Sequence, residues 1–126
     1  KLDRNNKKRR RLVEAYQKEF QKEGKISLPF SKFKGNPSYH LFPILVARPI
    51  DRNRLMEKLK NFGIQTSVHY PPVHLFSLYR KRFGFKLGML PKTEVVSRRE
   101  MTLPLHPRMN LREVSEIVNK LKGLME

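Results

Sequence analysis

The apolar residues of the N-terminal segment follow a helical period. This period predicts one long helix over Leu2–Glu23, which ends at Gly24. Four apolar residues form its stripe, all in the second half: Leu12, Val13, Tyr16 and Phe20. The first half instead carries the cationic run Lys7–Arg11. We therefore expect the first three turns to bury little within this chain and to have packed against something upstream.

Two more helices are predicted with clear start signals. Asp51 is suited to cap the first, which ends at Gly63. Asn110 and Glu113 have the spacing of a capping box at the start of the second, near the C-terminus. Shorter helical segments are predicted at two further places, namely His74–Phe83 and Thr93–Arg99.

Three segments are typical of strands: Ser38–Val46, Ile64–Tyr70 and Met101–Leu105. Pro43 predicts an edge position or a bulge in the first, because proline cannot donate to a ladder. A helix-length segment separates the first two strands, as in a crossover unit. The sequence therefore predicts an α+β fold, a small mixed β-sheet with helices packed on one face.

One face of the predicted second strand is polar but uncharged. It carries Gln65, Ser67 and His69, while Ile64, Thr66 and Val68 face the other side. In so basic a chain, a strand face in contact with solvent would be expected to carry lysine or arginine. We expect this polar face to meet another domain or a ligand.

Composition limits the function classes. The 126 residues suffice for one domain, and the chain has no cysteine, which excludes disulfides and zinc–thiolate sites and favours a cytoplasmic location. No apolar run approaches the roughly 20 residues that cross a bilayer. The formal net charge of +17 raises the expectation of an anionic partner, either a nucleic acid, a nucleotide or an acidic protein surface.

The residues that could carry chemistry do not assemble a complete site of their own. No metal site is predicted, because no aspartate or glutamate lies between Glu57 and Glu94 to support the histidines. Ser67 and His69 have no nearby acid to complete a catalytic triad. Three basic clusters permit nucleic-acid binding, namely Lys7–Arg11, Arg80–Arg82 and Arg98–Arg99. However, no signature of a common nucleic-acid module is present.

Four ordered blocks resemble one enzyme family. They are HLF at His40–Phe42, GIQTSVHYPPVH at Gly63–His74, LPKTEVVS at Leu90–Ser97 and LPLHPRM at Leu103–Met109. Together they resemble the C-terminal small domain of the DegT/DnrJ/StrS sugar aminotransferases, pyridoxal-phosphate enzymes of the aspartate aminotransferase fold (fold type I). The resemblance covers essentially the whole chain.

The resemblance implies a function for the complete protein. Such enzymes use pyridoxal 5'-phosphate (PLP) to transfer an amino group, usually from glutamate, to a keto sugar linked to a nucleotide, for polysaccharide or other sugar biosynthesis. They are homodimers, and their Schiff-base lysine lies in the large domain. That domain is absent here, so we expect no catalytic residue, no bound PLP and no activity in this fragment. Residues 1–24 would be the connecting helix and residues 25–126 the small domain.

The resemblance also implies roles for individual residues. His69 and Tyr70 match the pair that lines the substrate side of the cleft. His69 would hydrogen-bond a sugar hydroxyl or the diphosphate, and Tyr70 would pack against the sugar or the cofactor; the alternative for His69 is a structural histidine at an interface. His40 and His74 are cleft or structural positions expected to bond backbone groups. The alternative for the whole chain is a free-standing basic domain that binds nucleic acid or another polyanion.

Overall fold

Five helices and three short strands make up the chain in the computed structural model, which describes residues 1–126. In chain order the elements are α1 (Leu2–Phe20), β1 (Ile26–Ser27), β2 (Phe42–Val46), α2 (Arg52–Asn61), a 3-10 turn (Val73–Leu75), α3 (Ser77–Phe83), α4 (Pro91–Arg99), β3 (Glu100–Leu103) and α5 (Leu111–Leu124). The predicted α+β class is confirmed.

The sheet is antiparallel rather than mixed. β2 lies in the centre and pairs antiparallel with both β1 and β3. Beyond β3, Ser67 forms an isolated antiparallel bridge with Thr102. The segment around Ser67 therefore runs in the same direction as β2, and α2 connects the two as expected for a crossover. They never pair directly because β3 lies between them, which is why the prediction of a mixed sheet was wrong.

The prediction of a regular strand over Ile64–Tyr70 was wrong, because only Ser67 pairs. Ser67 and Thr102 exchange two backbone hydrogen bonds of 3.2 and 2.8 Å. In one direction the next position of the ladder is Pro104, which has no N–H to donate. In the other direction, the carbonyl of Glu100 accepts a 2.8 Å bond from the Arg52 guanidinium. The ladder therefore stops after one pair.

Pro43 lies in the central strand, yet at a local edge. It faces Thr102, whose N–H and C=O both bond to Ser67 on the far side. The Pro43 nitrogen must therefore point away from β3, towards the side of β1. β1 pairs only with Leu45 and Val46 and does not reach Pro43. The missing N–H therefore removes no ladder bond.

The core lies on one face of the sheet. Alternate residues of β2 (Phe42, Ile44 and Val46) are buried there, opposite Met101 and Leu103 of β3. The helices α1, α2 and α5 cover this face with eleven apolar residues in all, namely Leu12, Val13, Tyr16, Phe20, Leu55, Leu59, Val114, Ile117, Val118, Leu121 and, just after α5, Met125. The predicted apolar stripe of α1 is confirmed.

The predicted caps of α2 and α5 are confirmed, whereas α1 ends at Phe20, before the predicted end at Gly24. The Asp51 carboxylate accepts from two backbone N–H groups of α2, and Asn110 and Glu113 form both bonds of the capping box. Phe62, which directly follows α2, is 53% exposed. Its ring lies 4.1 Å from the Lys120 amine, a cation–π contact that partly shields it from solvent.

Tyr16 joins α1 to the end of the sheet. Its ring is fully buried, and its hydroxyl donates a 3.0 Å hydrogen bond to the carbonyl of Pro104. Burial, with a smaller effect from the negative charge of Glu113, raises the pKa of the Tyr16 phenol. The second half of α1 is therefore part of the core. None of the helices has the length and apolar character needed to cross a membrane.

Candidate functional site

The backbone bridge at Ser67 places His69 beside the face of β3 that points away from the core. Thr102 and Glu100 alternate with the core residues of β3, so their side chains lie on this second face. The His69 Nδ1 atom is 3.0 Å from the Thr102 Oγ1. The backbone N–H of His69 donates to Glu100 Oε2 at 2.9 Å. The two β3 side chains therefore hold both the ring and the backbone of His69.

Glu100 and Thr102 are buried polar residues. Each is only 5% exposed, and the Thr102 hydroxyl donates to Glu100 Oε1 at 2.8 Å. Sequence analysis did not find either of them. Their alternation with Met101 and Leu103 was the available signal, since a strand that buries both faces is expected to be apolar throughout.

Tyr70 lies next to His69 with its side chain largely free. The two rings meet edge to face with centroids 5.3 Å apart, and Tyr70 is 68% exposed. The Tyr70 carbonyl accepts a hydrogen bond from the Ser97 hydroxyl of α4, which fixes the backbone while leaving the phenol without a partner. Tyr70 is therefore accessible beside His69; what the two residues bind stays a prediction.

These two residues border a cleft, here called the His69 cleft. It is lined by His69 and Tyr70, by Pro71–His74, by Leu90, Lys92, Thr93, Val96 and Ser97 around α4, and by Glu100. Several apolar side chains at its border, including Val73, Leu90 and Val96, are exposed. Gln65 and Ser67 are exposed. The helices of this chain therefore leave the polar face that carries Gln65, Ser67 and His69 uncovered.

His74 bonds a partner other than the one predicted. Its ring is buried, and its Nε2 lies 3.1 Å from Glu94 Oε1 in α4. The expected partner was a backbone group, whereas the buried Glu94 carboxylate offers a stronger, charged acceptor. The same carboxylate oxygen also accepts from the N–H groups of Gly88 and Leu90. Glu94 therefore fastens the loop before α4 to the turn that follows the prolines.

Burial raises the pKa of Glu94, but the hydrogen bonds from His74 and from the two backbone N–H groups outweigh it. The net result is that the pKa of Glu94 lies below its ordinary value of 4.5. A carboxyl with a lowered pKa in the folded state stabilises the fold above its unfolded pKa. That contribution is lost as the pH falls through the folded pKa.

We expect the free energy of unfolding to fall as the pH is lowered below 4.5, with Glu94 as one source of the slope. Glu94→Gln should be less stable at neutral pH and should show a shallower loss of stability in acid. Urea unfolding at a series of pH values measures this. Glu116→Gln, at an exposed carboxylate, is the control. An unchanged acid slope in Glu94→Gln would contradict the assignment.

The other two histidines lie elsewhere. His40 is exposed in the loop before β2 and borders a separate hollow between that loop and α1. It forms no side-chain hydrogen bond, so the expected backbone bond is absent. His106 is exposed, and its carbonyl accepts from the N–H of Met109 in the turn after β3. No group of three or more histidine, cysteine or acidic side chains is close enough to hold a metal ion.

A family model decides the class of the protein. Residues 1–122 match the DegT/DnrJ/EryC1/StrS aminotransferase family. The chain belongs to this family. The resemblance stated from the four sequence blocks is therefore confirmed.

Similar proteins include sugar-modifying aminotransferases. The UDP-4-amino-4,6-dideoxy-N-acetyl-beta-L-altrosamine transaminase of Campylobacter jejuni is 33% identical over 128 residues, covering 100% of this chain and 34% of that protein. Helicobacter pylori PseC, an aminotransferase involved in the biosynthesis of pseudoaminic acid, has a TM-score of 0.88 at 26% identity, covering 95% of this chain and 32% of that one.

Spr1654 from Streptococcus pneumoniae, in its PLP form, has a TM-score of 0.86 at 29% identity, covering 95% of this chain and 31% of its own. In each comparison nearly all of this chain matches only part of the other protein. The chain spans about a third of the length of the relatives it matches.

Proposed function

We propose that this chain is the C-terminal domain of a PLP-dependent aminotransferase that transfers an amino group, from glutamate, to a keto sugar linked to a nucleotide. Family membership over residues 1–122 carries the proposal. The relatives with stated activities act on sugars, and one structural neighbour holds PLP. The complete protein would be a cytoplasmic homodimer in which a large domain provides the opposite side of the His69 cleft.

This chain alone does not build the cofactor site. A lysine that forms a Schiff base needs a pocket that lowers its pKa by desolvation or by a neighbouring cation. None of the lysines of this chain is buried, and Lys92 is the one that borders the His69 cleft. In our proposal the lysine and the phosphate-binding groups lie in the large domain. PLP then supplies the electron sink for amino transfer when it is bound there.

His69 and Tyr70 form the proposed substrate side. His69 is held from behind by Thr102 and Glu100, which leaves the other ring nitrogen free to bond a ligand. Tyr70 offers an exposed aromatic ring and a free hydroxyl at the same border. Such a pair suits a sugar, which presents hydroxyl groups at its edge and an apolar face to stack on.

The test is an assay of the complete polypeptide that contains this chain. With PLP, L-glutamate and a panel of nucleotide-linked 4-keto and 3-keto sugars, we expect formation of 2-oxoglutarate that depends on the sugar. The 126-residue chain alone, assayed identically, should form none. Activity in the isolated chain would contradict the placement of the catalytic groups, and no activity with any keto sugar would contradict the substrate class.

The basic surface favours one alternative, polyanion binding. Four cationic side chains, Lys7, Arg10, Arg11 and Lys34, line a hollow between α1 and the loop before β2. Our account predicts weak binding of generic duplex DNA that is lost at physiological salt, because the contacts are to phosphates alone. Tight binding that persists at that salt, measured by fluorescence anisotropy, would favour the polyanion-binding domain instead.

A further inference from the structure

Glu100 is an unusual residue for this position. It is a buried carboxylate that forms no ion pair with any lysine or arginine of the chain. Arg52 approaches it but donates to its backbone carbonyl. A buried charge without a counter-charge is costly unless hydrogen bonds satisfy it. The carboxylate accepts two, from the backbone N–H of His69 and from the hydroxyl of Thr102. Both bonds therefore help to hold His69 in place.

We propose that Glu100 and Thr102 are positioning residues that hold the neutral His69 imidazole in the tautomer with its proton on Nδ1. An ionised carboxylate has only acceptor atoms, so the Thr102 hydroxyl must donate its single hydrogen to Glu100. Towards His69 Nδ1, at 3.0 Å, the hydroxyl can then only accept. The Ser67 hydroxyl also approaches Nδ1, but at 3.4 Å it is the longer contact and can accept as well as donate, so the Thr102 contact decides the tautomer. Nδ1 therefore carries the proton, and Nε2 carries the lone pair.

The lone pair of Nε2 is available to a ligand. Nε2 has no hydrogen-bond partner within the chain, and it keeps contact with solvent, unlike the buried and unpaired Nδ1 of His74. His69 also lines the His69 cleft. While the imidazole is neutral, Nε2 accepts a hydrogen bond and cannot donate one. It thus suits a ligand hydroxyl or amine, and it does not suit a phosphate oxygen, which is also an acceptor.

The tautomer limits which ligand groups His69 can bind in the proposed enzyme. Of the two contacts that the family resemblance implies, a sugar hydroxyl and the diphosphate, the tautomer selects the hydroxyl. The assignment of a sugar hydroxyl as the ligand group rests on the proposed function, whereas the tautomer is a property of the ligand-free chain. The other ionisable groups that line the cleft are Glu100 on β3, Tyr70 beside the ring, His74 in the 3-10 turn and Lys92 on α4.

The tautomer is measured by long-range ¹H–¹⁵N correlation of the histidine rings in the 126-residue chain, at about pH 8 where imidazole is neutral. His69→Gln identifies the His69 signals among the four histidines by their loss. We expect Nδ1 to resonate as a protonated nitrogen and Nε2 as an unprotonated one. A neutral ring protonated on Nε2, the form that free imidazole side chains favour, would overturn the proposal.

Three variants separate positioning from structural support. Thr102→Ser keeps the hydroxyl and should keep the tautomer, whereas Thr102→Val should release it to the Nε2-protonated form. Glu100→Gln should reverse it. The His69 N–H requires the amide oxygen, so the amide NH₂ faces Thr102, and the Thr102 hydroxyl then donates to Nδ1. An unchanged tautomer in both Thr102→Val and Glu100→Gln would overturn the proposal.

Folding and function remain distinguishable in this design. If Glu100→Gln does not fold, the wild-type tautomer and the Thr102→Ser and Thr102→Val pair carry the test. If the predicted tautomer is found while the complete polypeptide transfers no amino group, the proposed enzyme fails and the positioning role stands. If amino transfer occurs while His69 is protonated on Nε2, the positioning role fails and the enzyme stands.

Discussion

Removal of residues 1–24 is expected to unfold the rest of the chain. The second half of α1 contributes four nearly fully buried side chains to the core, namely Leu12, Val13, Tyr16 and Phe20. Burying each contributes about 1.5–3 kcal/mol, so their joint loss is comparable to the roughly 5–15 kcal/mol of a whole domain. The truncated chain should show no cooperative thermal transition by circular dichroism and poor dispersion of its amide proton signals.

The matched control removes only residues 1–7. These residues are largely exposed. They form the first turns of α1, and Asn6 contacts the side chain of Arg9. We expect the melting temperature to change by a few degrees at most. A truncated chain of residues 25–126 that melts cooperatively near the full-length temperature would show that α1 is a separable connector. The division into a connecting helix and a small domain stays a prediction until then.

Replacement of His69 is the second change with a large expected effect. In the complete polypeptide, His69→Ala should lower kcat/KM for the sugar nucleotide by about tenfold to a hundredfold. That range lies within the roughly 1–3 kcal/mol that it costs to leave a buried hydrogen-bond donor, here the sugar hydroxyl, without its acceptor. The melting temperature should change little, because His69 lies at the border of the cleft and outside the apolar core.

His106→Ala is the control for this prediction. His106 is exposed, lies in the turn after β3 and does not border the His69 cleft. Its replacement should leave kcat/KM unchanged. Equal effects of the two replacements, or a loss in His69→Ala that follows the loss of folded protein, would contradict a substrate contact at His69.

Sequence pattern predicted the parts of the fold that depend on local chemistry. The caps at Asp51 and Asn110 and the stripe of α1 all follow from side chains within a few positions of each other. The four sequence blocks that resemble the family also indicated His69 and Tyr70 as candidate site residues. These features need no knowledge of tertiary register.

The parts that escaped prediction depend on contacts between distant segments. His69 meets Glu100 and Thr102 across 31 and 33 residues, and His74 meets Glu94 across 20. The alternation in Ile64–Tyr70 was read as a strand, but the pairing partner has no donor at Pro104 and uses the Glu100 carbonyl elsewhere. A hydrophobic pattern carries no information on which backbone groups its partner has left free.

Exposed apolar residues on α3 and at the border of the His69 cleft agree with an incomplete interface. α3 buries none of its seven residues, although it carries Leu78, Tyr79 and Phe83. Such a surface is more apolar than a helix in contact only with water requires. In our account the large domain of the same polypeptide, or of its dimer partner, covers this region and closes the cleft.

The most direct test of this account is the nucleotide sequence upstream of the Lys1 codon, read in frame. We expect a coding region roughly twice as long as this chain, because the chain spans 34% of the Campylobacter relative. That region should include a lysine preceded by a stretch of small residues. A stop codon or a start site directly upstream of Lys1 would contradict the account and leave a free-standing basic domain as the whole protein.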